Sequence, residues 1–123
     1  YSDHVSRTIY VVDVLAAPSD SVEEHSGFVR GAEGLPALWK DVQEKTAMIV
    51  NYIGEWHSHL PQHGATPSCD DLVLLGTQSA VLANDGDPAL MFIVSSDQLG
   101  VYVCESNGTT SLISTASVLR LAE

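Results

Sequence analysis

The fold of this chain depends most on one stretch, Met48-Ile49-Val50-Asn51-Tyr52-Ile53-Gly54-Glu55-Trp56-His57-Ser58-His59. Residues 48–56 are almost continuously apolar, which predicts a central strand buried on both faces. His57 and His59 follow at its end. Because they are two residues apart on extended chain, their side chains point to the same side of the sheet. The predicted strand therefore delivers two imidazoles to one place.

A second segment brings a carboxylate to the same place. Pro67-Ser68-Cys69-Asp70-Asp71 opens a predicted helix with Ser68 at its N-cap, and residues 72–83 continue it as a mostly buried helix. The loop of residues 60–66 is short enough to return this helix towards the histidines. Two imidazoles and a carboxylate are ligands of a catalytic zinc, which keeps a fourth position open for water. The sequence therefore indicates metal-assisted hydrolysis.

The other predicted elements alternate between strands and helices. Leu35, Leu38, Trp39 and Val42 recur at helical spacing, which predicts an amphipathic helix. Residues 8–15 are predicted to form a strand, residues 22–34 a polar connection, and residues 89–95 and 99–105 a hairpin. The secondary structure of the last segment, residues 111–121, is left open. The order β-α-β-α-β-β predicts an α/β (α+β) fold, with helices on a mixed sheet, and we expect one domain over residues 1–123.

Composition excludes some classes of partner. Of the 123 residues, 45% are hydrophobic, and the formal charge is −11, from 5 basic and 16 acidic residues. This charge disfavours nucleic acid, and suits either a solvated surface or a basic protein partner. No apolar run approaches the length of a membrane span, so we expect no membrane partner. Cys69 and Cys104 are too few for a disulfide framework, which predicts reduced thiols and a cytoplasmic protein.

The four residues His57, His59, Ser68 and Asp71 form the pattern His-x-His, a spacer, then Ser-x-x-Asp at a helix start. In this pattern the chain resembles the JAB/MPN (JAMM) metalloproteases, and residues 52–59 look like the bacterial, Prok-JAB-like branch. The resemblance extends from about residue 8 to 105, although only residues 54–71 carry the motif. It implies a cytidine-deaminase-like layered fold, with a Zn²⁺ cofactor held by the two histidines and Asp71. It also implies that Ser68 donates a hydrogen bond to the oxyanion of the tetrahedral intermediate.

This sequence departs from the family pattern in two ways. Counted from His59 with the family's usual spacing, the positions of the motif serine and aspartate are Pro67 and Asp70. If one residue is inserted in the spacer, these positions become Ser68 and Asp71. We prefer Asp71 as the ligand and keep Asp70 as the alternative. The family's general-base glutamate lies upstream of the first long strand, and we expect this chain to lack it together with an N-terminal helix or strand. Glu55 shares a side with the histidines but does not occupy the family's position.

The resemblance implies an isopeptidase that hydrolyses the amide bond after the C-terminal tail of a ubiquitin-like protein or its conjugates. Bacterial relatives often accompany activating- and conjugating-type proteins, which are further possible partners. The alternatives are a non-catalytic MPN scaffold and a zinc hydrolase of small peptides. The histidines could also be ordinary polar residues at a strand end, and Ser68 with Asp71 a capping box. Cys69 is expected to be a small packed residue rather than a fourth ligand.

Overall fold

Residues 1–24, 27–96, 98–107 and 111–115 are described by a computed structural model of the chain. They fall into two units, Tyr1–Tyr52 and Ile53–Glu123. In the first unit, β1 (Ser2–Asp3) pairs antiparallel with β2 (Thr8–Ile9), and β3 (Val22–Glu24) pairs antiparallel with β4 (Gly27–Val29). Helix α1 (Leu35–Lys45) follows, with Pro36 in its first turn, as the apolar spacing predicts.

Two predictions for the first unit are wrong in part. The strand predicted over residues 8–15 ends at Ile9, because its partner β1 offers only two residues for pairing. The connection predicted over residues 22–34 contains the β3–β4 hairpin. Asp20 fixes the chain beyond this hairpin: its carboxylate accepts hydrogen bonds from the backbone N–H groups of Ala32 at 3.0 Å and Glu33 at 2.9 Å.

The second unit contains a mixed four-stranded sheet in the order β5-β6-β7-β8, formed by β5 (Gly54–Ser58), β6 (Ala89–Ser95), β7 (Gln98–Ser106) and β8 (Ser111–Thr115). β5 is parallel to β6, and the other pairs are antiparallel. The predicted hairpin is confirmed, and so is the α+β class. Of the segment left open at 111–121, residues 111–115 form a strand, and residues 116–121 lie outside the described residues.

The histidine strand differs from its prediction. It begins at Gly54 rather than at residue 48, it includes His57, and among the described strands it lies at an edge of the sheet. The early apolar residues are diverted by the end of α1: the N–H of Met48 donates to Gln43 O at 2.8 Å, and Ala47 and Met48 have φ of 49° and 66°. The backbone there cannot extend into a strand.

Helix α2 (Cys69–Leu82) packs against β6 and β7. The helix begins at Cys69, directly after the predicted N-cap Ser68 and three residues before the predicted apolar run from residue 72. The prediction of a mostly buried helix is wrong, since Val73 and Val81 are 69% and 64% exposed. Its buried residues, and those of the sheet that are fully enclosed, form the core of this unit: Leu75, Ser79 and Leu82, with Ala89, Met91, Ile93 and Cys104. Within the described ranges, neither helix is both long and apolar enough to cross a membrane.

One glycine sets the distance between β5 and β6. Gly54 pairs with Leu90, and the N–H of Leu90 donates to Ile53 O at 2.9 Å. A Cβ added at Gly54 would run into the backbone of Leu90, 2.6 Å from its carbonyl carbon. Only glycine therefore lets the histidine strand approach its neighbour this closely.

Candidate metal centre

The end of β5 places the two histidines. His57 is paired with Ile93 of β6, and the N–H of His59 donates to Val94 O at 2.8 Å, which continues the pairing beyond the strand. The Nε2 atoms of the two imidazoles are 3.1 Å apart. The sequence prediction that both rings point to one side is confirmed.

The first turn of α2 places the carboxylate. Ser68 is the N-cap, and its Oγ accepts from the N–H of Asp71 at 3.2 Å while the N–H of Ser68 donates to Asp71 Oδ2 at 2.7 Å. The Ser68 hydroxyl also donates to Oδ2, at 2.8 Å. This is a complete capping box, so the structural reading of this motif is correct. The box also holds the Asp71 carboxylate in one orientation.

The three side chains converge. His57 Nε2 lies 3.1 Å from Asp71 Oδ1, and His59 Nε2 lies 3.2 Å from Asp71 Oδ2. All three side chains are largely buried, at 24%, 16% and 14% exposure for His57, His59 and Asp71. Ligands on a tetrahedral zinc with bonds of about 2.0–2.1 Å would be about 3.3–3.4 Å apart. The spacing of the donor atoms therefore fits a zinc ion, and among the described residues this is a group that could hold a metal.

The second ring nitrogen of His59 has a partner of its own. Its Nδ1 lies 3.2 Å from the backbone oxygen of Gly64. A carbonyl oxygen can only accept a hydrogen bond, so Nδ1 carries the proton and donates it. In the neutral ring, Nε2 then has a lone pair directed at His57 and Asp71, which together with His59 are called the donor group below. Such an outer hydrogen bond is the usual companion of a histidine that binds a metal.

The electrostatics favour the metal-binding state of His57 and Asp71. Burial lowers the pKa of His57, and this outweighs the opposite effect of Asp71. Burial by itself would raise the pKa of Asp71, but the hydrogen bonds from Ser68 and the nearby imidazoles hold it below its ordinary value. At pH 7 His57 is therefore neutral and Asp71 is ionised, as metal binding requires. The negative charge of Asp71 beside two imidazoles would stabilise a cation placed between the three side chains.

The remaining candidates lie beside this group. Asp70 and Cys69 are both exposed in the first turn of α2 and are not part of it, so the prediction that Cys69 is packed is wrong. Cys69 and Cys104 are both free, as predicted. Glu55 is close enough to raise the pKa of His57. Ser68 is exposed and engaged with Asp71, and its role towards an oxyanion stays a prediction.

Sequence reasoning missed the Gly64 carbonyl. Every peptide group carries such an oxygen, so its presence gives no signal in the sequence. What matters is its direction, which depends on how residues 60–66 lie on the sheet. The only local sign is Gly64 itself, whose φ of +61° is readily adopted by glycine.

Comparison with known proteins gives one informative match. The chain is 33% identical over 100 residues to a protein of Enterobacter hormaechei subsp. hoffmannii (strain UCI 50) named CD-NTase/cGAS isopeptidase. The match covers 79% of this chain and 52% of that protein, so the chain spans about half the length of this relative. No family model matches the chain, and no solved structure matches it. Over most of its length the chain is therefore similar to a bacterial isopeptidase.

Proposed function

We propose that this chain is a zinc-dependent isopeptidase domain of the JAB/MPN (JAMM) type. It hydrolyses the amide bond after the C-terminal tail of a ubiquitin-like protein or of its conjugates. The observation that carries the proposal is the convergence of His57, His59 and Asp71, with donor atoms 3.1–3.2 Å apart. The similarity to a protein named isopeptidase supports the reaction class.

The three metal-binding side chains and Ser68 have different roles in this reaction. A zinc ion held by these three side chains would supply a Lewis acid and would lower the pKa of a neighbouring water to about 7. His57 and His59 hold it as neutral ligands, and Asp71 contributes the negative charge. Ser68 exchanges its hydrogen bond to Asp71 for one to the oxyanion that forms at the attacked carbonyl. One such donor typically contributes about 10²–10³ in rate.

The partners follow from the same proposal. The substrate is a protein tail joined through an amide bond, and activating- and conjugating-type proteins of the same cytoplasmic system are its natural companions. Nucleic acid is not a partner. Residues 53–119 contain no lysine or arginine, so the unit with the donor group offers no positive side chain to a phosphate backbone in that range.

Zinc content and cleavage together test the proposal. We expect about one zinc per chain after equilibrium dialysis, and slow, zinc-dependent release of a reporter joined by a lysine isopeptide bond to a ubiquitin-like tail. His57→Ala and His59→Ala should lose both. His63→Ala is the matched control, because His63 is exposed in the short 3₁₀ turn after β5 and lies outside the donor group. Undiminished zinc content and cleavage in His57→Ala would overturn the assignment.

A further inference from the structure

The loop that follows His59 is fastened to the sheet by side chains from two strands. The hydroxyl of Tyr102 on β7 donates to Ala65 O at 2.8 Å. The N–H of Ala65 donates to Gln98 Oε1, also on β7, at 3.3 Å. Ser95 on β6 donates through its hydroxyl to Leu60 O at 3.3 Å. Ala65 itself is only 7% exposed, so this part of the loop is packed rather than free in solvent.

A glycine on β7 makes room for this contact. Gly100 is two residues from Tyr102, so both face the same side of the strand. A Cβ at Gly100 would lie 2.7 Å from the ring of Tyr102 and 2.9 Å from its hydroxyl oxygen, and it would also collide with Ala65 O. The ring of Tyr102 therefore lies across Gly100 and brings its hydroxyl to the loop.

The hydrogen bonds with Gln98 and Tyr102 hold the peptide group that faces His59. The oxygen of Gly64 and the N–H of Ala65 belong to one planar peptide, and they point in opposite directions. Gln98 holds the N–H end, while the oxygen end accepts from His59 Nδ1. A peptide next to glycine turns over easily, since glycine tolerates the new backbone angles. If this peptide turned over, an N–H would face His59, and the ring would have to carry its proton on Nε2 instead.

We propose that Gln98 and Tyr102 are positioning residues for the donor group: they fix the Gly64–Ala65 peptide so that His59 is protonated on Nδ1 and presents Nε2 to the metal. The inference rests on the proposed function only in naming the metal. The ring protonation that it assigns exists in the metal-free protein and can be measured there.

Matched substitutions separate positioning from general stability. Gln98→Met removes the acceptor for the Ala65 N–H, whereas Gln98→Glu keeps one. Tyr102→Phe removes the donor to Ala65 O and keeps the ring. Ser79→Ala is the control for losing a buried hydrogen bond elsewhere in the unit, since the Ser79 hydroxyl donates to Cys104 O at 3.0 Å.

Two measurements test the proposal in the intact chain. Long-range ¹H–¹⁵N correlation at pH 8.5 without metal should place the proton of His59 on Nδ1 in the wild type, in Ser79→Ala and in Gln98→Glu. Gln98→Met and Tyr102→Phe should show a mixture of both ring forms. Zinc affinity should fall about 10-fold in these two variants, at the lower end of the roughly 10–100-fold range for outer-shell changes.

The outcomes also separate this inference from the proposed function. A wild-type His59 protonated on Nε2 would overturn the inference. The inference would also be overturned if Gln98→Met and Tyr102→Phe each showed the same His59 ring form and the same zinc affinity as Ser79→Ala. A wild type that binds no zinc would overturn the proposed function, while the expected ring forms would still support the positioning role of Gln98 and Tyr102.

Discussion

Replacing Asp71 with asparagine should abolish tight zinc binding, whereas the same change at Asp70 should leave it almost intact. The two residues are neighbours in the first turn of α2, and each substitution removes one negative charge. Only Asp71 has its oxygens 3.1 Å and 3.2 Å from the histidine nitrogens. Asp70→Asn is therefore a close control: it removes the same charge from the same helix turn but leaves the side chains of the donor group unchanged.

The size of the effect follows from what each side chain contacts. Asp71→Asn removes the charged donor itself, so its cost should exceed the upper end of the outer-shell range, about 100-fold or 2.7 kcal/mol. The metal-free protein should lose far less stability. An asparagine oxygen still accepts from the N–H of Ser68, and the charge lost near the helix N-terminus is worth about 0.3–1 kcal/mol at either position.

Two titrations measure these quantities. Competition with a chromophoric chelator at pH 7.5 gives the zinc affinity, and urea unfolding with excess chelator gives the stability of the metal-free variants. We expect the zinc affinities of the two variants to differ by more than about two orders of magnitude, and their unfolding free energies to agree within about 1 kcal/mol. Equal losses of affinity would refute Asp71 as the specific donor. A larger loss for Asp70→Asn would show that Asp70 is the donor and that the inserted residue is placed wrongly.

Two further substitutions test how each unit is held. Gly54→Ala should lower the unfolding free energy of the second unit by about 1–3 kcal/mol in urea and weaken zinc binding, because the new Cβ runs into Leu90 and displaces β5. Gly76→Ala on α2 is the control: a Cβ there meets nothing within 4 Å, so this change should raise the unfolding free energy by about 0.5–1 kcal/mol. Equal effects of the two substitutions would refute the close approach of β5 to β6. Backbone N–H groups lower the pKa of Asp20, so its contribution to stability is present above pH about 4 and is lost as the pH falls through the lowered pKa. Asp20→Asn should therefore reduce the melting temperature at pH 7 but not at pH 2, and a difference that persists at pH 2 would contradict this.

The donor group could be predicted because its signals are local. The spacing of two residues between His57 and His59 fixes their common side on any extended chain. Ser68 and Asp71 form a cap whose geometry places the carboxylate at the start of α2. Preferring Asp71 over Asp70 agrees with the geometry of the group, because only Asp71 lies against the histidines.

What could not be predicted depends on distant contacts. The apolar run from residue 48 suggests a strand, but its first residues close the end of α1 through the bond between Met48 and Gln43. The apolar character of α2 suggests burial, yet packing on β6 and β7 encloses only one of its faces. The direction of the Gly64 carbonyl depends on Gln98, whose bond to Ala65 joins residues 33 positions apart. No short pattern contains such a contact.

The donor residues are neighbours along the chain, and this has a consequence for folding. His59 and Asp71 are only twelve residues apart. Closing so short a loop costs little chain entropy, so zinc can join the end of β5 to the start of α2 before the sheet is complete. Metal bound at that stage would act mainly on the rate of refolding, because its bonds would already be present in the transition state. A chain that also binds zinc while unfolded gains less stability from it than the affinity of the folded protein alone would give.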